Sequence, residues 1–250
     1  NPASGPITKP NTTVGTPNDG AWIDESLRVI NKNRDFESDA LGLYVQDLLQ
    51  VAPDWKLLAG LRWDRFEGNY RTYSTAAADL GQLTAERGRT DSLPSHRFGL
   101  LYQPTPLHSY HLSYGTSFNT SGDAYQYDAL GSNTPPEKSR NIELGAKLDW
   151  LNGNLSTRFA IFRTEKYNER NTDPDSAAAQ ELLSGKRHAA GMEFNLAGRI
   201  TPKWEVFFNH TWIPSARIDE SNVALAASGG GAQVKGDRPG LTPRHSGSLW

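Results

Sequence analysis

The sequence contains no cysteine, which removes a disulfide framework, a thiolate metal site and a cysteine nucleophile together. It is short of apolar bulk. Hydrophobic residues make up 36% of its 250 positions, and only with the 23 glycines added does the chain reach the lower edge of the roughly 45–50% of ordinary soluble domains, so aliphatic bulk for a packed soluble core is in short supply. No apolar run is long enough for a membrane helix. The longest charge-free stretch, Phe98 to Gly122, is broken by Pro104 and Pro106 and is polar at alternate positions. Neither sign of charge dominates: 26 basic against 28 acidic residues give a net charge of −2. Without a broad basic field, nucleic acid is disfavoured as a partner. An initiator methionine and a charged-then-apolar leader are also missing, and the chain is expected to be a piece of something longer.

Catalytic signatures are equally scarce. No G-x-S-x-G, H-E-x-x-H or Walker loop occurs, and Gly229-Gly230-Gly231 lacks the following lysine–serine pair, so it reads as flexible loop. Asp173-Pro174-Asp175 is too short for a calcium loop and reads as a turn. Of the six histidines, His108 and His111 are three apart, which on a strand puts them on opposite faces and prevents joint chelation. No Ser-His-Asp set can be placed on one rim from the sequence, which argues against an outer-membrane protease or lipase. No catalytic residue and no metal site are therefore assigned.

What is present is alternation. Ile142, Leu144, Ala146, Leu148 and Trp150 are apolar, while Asn141, Glu143, Gly145, Lys147 and Asp149 are polar or glycine. The same two-faced pattern covers Trp55 to Asp64, Ser109 to Phe118, Met192 to Leu196 and Trp204 to Asn209, which is strand behaviour sustained over about ten residues. Two residues break the rule: Asp47 falls with Leu43 and Val45, and His210 with Phe208 and Trp212. Short turns at Ala52-Pro53-Asp54, Pro104 to Leu107, Leu151-Asn152-Gly153 and Thr201-Pro202-Lys203 recur about every fifty residues. Between them the expected long connections run from Ser74 to Asp91, Thr120 to Pro136, Asn171 to Leu183 and Asp219 to Gly240. Trp55, Tyr102, Trp150 and Trp204 flank the short turns, an aromatic row suited to a membrane interface.

Alternating strands, tight turns at one end, long loops at the other and boundary aromatics describe an all-β transmembrane antiparallel barrel, because a sheet survives in hydrocarbon only if it closes. A soluble propeller would need four short strands per repeat, and each repeat here offers two long ones. Nine strands are expected from Asp39–Val51 to a last one near Arg244, with a tenth candidate at Trp22–Ile30. Residues 1–37 then form an extracellular loop region with that possible strand, and 38–250 form the barrel segment. In such a protein the Asn-x-Ser/Thr matches at Asn11, Asn154 and Asn209 are chance.

Several strands carry a more specific signal: Tyr44-Val45-Gln46-Asp47, Gly60-Leu61-Arg62-Trp63-Asp64-Arg65-Phe66, Tyr114-Gly115-Thr116-Ser117-Phe118, Pro136 to Gly145, Ser184 to Phe194 and Leu241 to Gly247. In this order and spacing they resemble consecutive barrel strands of TonB-dependent siderophore receptors. Arg170 to Asp175 followed by Leu182 to Arg187 resembles the branch that takes ferric catecholates. The resemblance implies a barrel of about twenty-two strands around a plugged lumen, of which this chain supplies nine or ten, with the plug and terminal strands elsewhere. It implies a Gram-negative cell outer membrane, a ferric siderophore as ligand, energy from the TonB-ExbB-ExbD complex acting through the plug, and contact with outer-membrane lipid and lipopolysaccharide. No cofactor is implied, since iron arrives wrapped by its siderophore. A passive porin or other outer-membrane barrel channel is the competing reading.

Ferric catecholates are anionic and flat-ringed, so a receptor mouth should offer Arg or Lys with Tyr, Phe or Trp. The candidates are Arg87 and Arg89 in the first long loop, Tyr125 and Tyr127 in the second, Tyr167 and Arg170 at the third, and Lys235 and Arg238 in the fourth. Tyr125, Tyr127 and Arg170 lead because they sit near strand tops. Each can also be an ordinary solvated charge or a contact to lipopolysaccharide phosphate. The inward charges Arg62, Asp64, Glu143, Lys147, Arg158, Glu193 and Arg199 are expected to pair with one another and with the plug.

Overall fold

Alternating side chains make strands only where each finds a neighbour, and here every strand pairs with the next in sequence. A computed structural model describes residues 33–119, 135–172, 181–221 and 234–250 together with Gly15, and the backbone alone for 170–172 and 181–184. The strands are β1 (Asn33–Ala52), β2 (Trp55–Tyr73), β3 (Leu83–Thr105), β4 (His108–Phe118), β5 (Lys138–Trp150), β6 (Leu155–Thr172), β7 (Glu181–Thr201), β8 (Trp204–Glu220) and β9 (His245–Leu249). They form one antiparallel sheet in the order β1 to β9. No helix among the described residues is long and apolar enough to cross a membrane. The tenth-strand candidate, Trp22–Ile30, lies outside the described residues.

The sheet register sorts side chains into two faces. Leu57, Leu100, Leu112, Leu144 and Ile161 lie on one face, and Lys56, Arg97, His111, Glu143 and Phe162 on the other. The apolar face is bare: Leu43 is 60% exposed and Leu61 58%, and Leu93, Val206, Ile218 and Val234 are the buried apolar residues among those described. A soluble sheet would bury this face, whereas a barrel wall turns it to hydrocarbon. Asp47 and His210 do face outward as their positions implied. Asp47 accepts the Leu48 N–H at 2.8 Å, and His210 stacks on Phe208 and His245, with ring centres 6.5 and 5.4 Å away.

The turns at the tight end match expectation, including a 3-10 turn at Leu151–Gly153. Above them Trp55 stacks on Tyr102 at 4.5 Å, Tyr102 on Tyr110 at 6.0 Å, and His108 meets Trp150 at 5.5 Å, an interface girdle held by ring contacts. The other end corrects the sequence reading. The first long connection is only residues 74–82, because β3 starts at Leu83 and carries Arg87 and Arg89; Tyr167 and Arg170 belong to β6, and β1 begins at Asn33 rather than Asp39. Strands of 18–23 residues exceed the 9–11 or so that span a bilayer, so their upper parts project beyond it. There both faces are wet, and alternation stops marking the strand.

Candidate functional site

The face opposite the apolar belt carries the polar groups, and two clusters crown its upper end. The first is built by β1, β2 and β3. Phe36 stands opposite Tyr70, and Tyr70 opposite Arg87. The Phe36 and Tyr70 ring centres are 6.1 Å apart. Arg34 donates from Nη1 to the Tyr70 hydroxyl at 3.2 Å, with its guanidinium 5.8 Å from the ring centre. Two steps below Arg87, Arg89 is buried and donates from Nη2 to Asp91 Oδ1 at 3.0 Å. Two guanidinium groups and two rings thus share one inward patch, and buried Arg89 with Asp91 forms its floor.

The second cluster is built by β6 and β7. Asn168 adopts φ 56°, and the bulge it creates turns Glu169 inward, opposite Gly185. Glu169 is 1% exposed, with Oε1 3.0 Å from Arg187 Nη2 and 3.2 Å from Lys166 Nζ. Lys166 also reaches Glu137 Oε2 at 3.0 Å. Two acids and two bases neutralise one another here, so this cluster stiffens the rim rather than presenting net charge.

Lower on the same face the expected charge pairing is present in part. Arg62 meets Asp64 at 2.6 Å, whereas Glu143 pairs with His111 at 2.9 Å and Lys147 with Asp149 at 3.2 Å. Arg158, Glu193 and Arg199 make no ion pair among the described residues. The first two of these pairs lie over glycine. A Cβ on Gly42 would fall 2.4 Å from Arg62 Nη2, and one on Gly145 2.4 Å from His111 Cε1. His108 and His111 sit on opposite faces as spacing required.

The proposed ligand residues separate. Arg87 and Arg89 are inward and together on β3. Tyr167 pairs with Lys138 and Lys186 on the outward face, away from them. Arg170 lies on β6, its side chain outside the described residues; Tyr125 and Tyr127 also lie outside them. Lys235 is exposed in the segment before β9. Arg238 is engaged with backbone, donating from Nε to Thr242 O at 2.7 Å and from Nη2 to Ile213 O at 2.8 Å and Pro243 O at 3.2 Å. It braces that segment. Sequence reading missed Arg34, Phe36 and Tyr70, which stand on the upper parts of β1 and β2 where alternation no longer marks the strand.

A further correction concerns catalysis. His188 on β7 places Nδ1 2.7 Å from Asp219 Oδ2 and Nε2 2.9 Å from Ser215 Oγ, both on β8, so a Ser-His-Asp set does share one rim. It sits on the outward face of the ladder, with Ser215 opposite Ala190. The set ties β7 to β8 through hydrogen bonds between side chains.

Comparison with known proteins agrees with this architecture. The TonB dependent receptor-like beta-barrel family model matches residues 4–250. The TonB-dependent receptor BfrD of Bordetella pertussis is 31% identical over 220 residues, 86% of this chain and 28% of its own length. The catecholate siderophore receptor Fiu of Escherichia coli is 25% identical over 268 residues, 98% of this chain and 34% of its own. The crystal structure of the siderophore receptor PiuA from Acinetobacter baumannii superposes with TM-score 0.72 at 26% identity, covering 87% of this chain and 31% of that one. The chain therefore spans about a third of the length of the relatives it matches. With nine consecutive antiparallel strands among the described residues, a bare apolar face and a polar inner wall, the chain belongs to the TonB-dependent receptor family, as part of its β-barrel.

Proposed function

We propose that this chain is wall and mouth of a receptor that takes ferric siderophores, of the catecholate class, across the outer membrane of a Gram-negative bacterium. The observation that carries this is the inward patch of Arg34, Tyr70, Phe36 and Arg87. Guanidinium groups offer charge-assisted hydrogen bonds to an anionic complex, and the rings offer faces to flat catechols. The name of PiuA favours a siderophore as ligand, and that of Fiu a catecholate one.

In this reading the iron is cargo, delivered inside its chelator, and no resident cofactor is needed. The plug and the TonB-ExbB-ExbD complex would gate and power release from segments beyond these strands. The charge pairs of the inner wall suit a plug that must slide or unfold, because each pair stays satisfied when the plug leaves. The protein would work as a transport receptor rather than as an enzyme.

The test is quenching of tryptophan fluorescence in the complete receptor on titration with a ferric catecholate, with a ferric hydroxamate as control. Saturable quenching by the catecholate alone is expected. Binding of the hydroxamate alone would discard the catecholate class, and binding of neither would favour a passive channel.

A further inference from the structure

One pair of histidines has no part in the inward patch or the inner wall. His210 on β8 and His245 at the start of β9 are 35 residues apart in sequence and meet only because the two strands pair, with Trp212 opposite His245 and His210 opposite Gly247. Nε2 of His210 lies 3.3 Å from Nδ1 of His245. That is longer than the ordinary hydrogen bond from an N–H group. It is the separation of two ligands on one tetrahedral metal ion: bonds of about 2.0–2.1 Å meeting at about 109° place their nitrogens about 3.3–3.4 Å apart.

The two rings are held ready. Phe208, His210, His245 and Trp212 form one stacked column on the outward face, with successive ring centres 6.5, 5.4 and 6.2 Å apart and planes inclined by 15°, 22° and 14°. Ligands fixed by packing lose little side-chain freedom when an ion arrives. Neither imidazole has another hydrogen bond or an ion pair among the described residues, whereas His111 and His188 are each taken by an acid. Beside the pair, Phe159, Met192, Phe194 and Trp212 bound a hollow of about 300 Å³, room for an ion and several waters at about 30 Å³ each. Glu193 borders the same hollow but stands in register with Thr211 on the lumen face. No third histidine or acid completes a closed cage among the described residues, so the site is an open one.

Its level suits a cation. Counting up from Trp204 at the tight end, Trp212 and its neighbour His245 rise about 20 Å along the barrel axis, at about 3.3 Å per residue and a tilt of about 40°. The apolar band of such a barrel is about 25 Å tall, which puts His245 at its upper edge, where water is at hand. Deeper in the band a cation would be costly.

We propose that Nε2 of His210 and Nδ1 of His245 bind a divalent transition-metal ion of the zinc, copper or nickel class, with water in the remaining positions. Neutral imidazole suits these ions and not magnesium or calcium. The ion ties the start of β9 to β8 at the foot of the fourth long connection. It is distinct from the iron cargo, because the pair faces outward and the lumen lies on the other side of the wall. The inference rests on the barrel architecture and not on the siderophore class.

The experiment uses the complete receptor in detergent, stripped of metal with a chelator and titrated with Cu²⁺, followed by calorimetry and electron paramagnetic resonance. One bound Cu²⁺ with two nitrogen ligands in its hyperfine pattern is expected. His210→Gln and His245→Gln should each weaken that binding by about tenfold or more and remove one nitrogen. His108→Gln, on the same face at the tight end beside Trp150, should change neither. An unchanged melting temperature without metal shows that a variant is folded. A second measurement needs no variant: Zn²⁺ should protect His210 and His245, and not His108, from diethyl pyrocarbonate, as read by peptide mass mapping. Wild-type copper binding in either folded variant, absence of protection by Zn²⁺, or displacement of the Zn²⁺ by millimolar Ca²⁺ would overturn the site. Siderophore affinity is not a readout here, so failure of the ligand assignment and failure of the metal site are separate results.

Discussion

The imidazole of His111 lies across the Cα of Gly145 on the neighbouring strand, so close that a Cβ there would sit 2.4 Å from Cε1. That overlap lets Nε2 reach Glu143 Oε1 at 2.9 Å while keeping the inner wall low. Gly145→Ala should push the ring into the lumen and lose the contact, costing about 1–3 kcal/mol as an overpacked site does. Thermal unfolding of the complete receptor in detergent is the check; an unchanged midpoint would show that His111 has another resting place.

The inward patch makes a quantitative demand. Arg34→Ala and Arg87→Ala together should weaken ferric catecholate binding ten- to hundredfold, about 1.4–3 kcal/mol, the scale of one or two charge-assisted contacts. Tyr167→Ala, which faces outward, should leave the affinity unchanged. The fluorescence titration reads both, and a large effect of Tyr167→Ala would mean the ligand is met elsewhere.

Glu169 is the hinge of the second cluster. Glu169→Gln removes the charge held by Lys166 and Arg187 and should lower stability by about 1–3 kcal/mol, since the acid is buried while its partners are one-third exposed. Glu67→Gln, whose carboxylate is about half exposed in its pairing with Arg65, should cost less than about 1 kcal/mol. Comparing the two melting temperatures separates a structural bridge from a surface pair.

Ser215 supplies a chemical test of the clamp. As part of a clamp between strands, the serine should resist a fluorophosphonate reagent, and Ser215→Ala should cost only about 0.5–1.5 kcal/mol of stability. Covalent labelling of Ser215 detected by peptide mass mapping would restore a hydrolase reading.

The sequence exposed the part of the molecule that lipid shapes. Between Trp55 and Trp63, or Ile142 and Trp150, one face must be apolar and the other polar, so the period of two is written plainly. Beyond the membrane that constraint lapses, which is why Arg87, Arg89, Tyr167 and Arg170 read as loop although they stand on strands. The same lapse hid Arg34, Phe36 and Tyr70. The Ser215, His188 and Asp219 set was invisible for a different reason: its members lie on two strands with bulges between them, and spacing along one chain does not reveal which residues face each other.

By itself, then, the sequence determined the strand class, the tight and elaborate ends, the aromatic girdle and the division into lipid and lumen faces, because alternation and turn chemistry are local. Only the tertiary structure decided which charges meet. It joined Arg34 to Tyr70 and Arg87 inside, and His210 to His245 outside, because register is a relation between strands that no single strand carries.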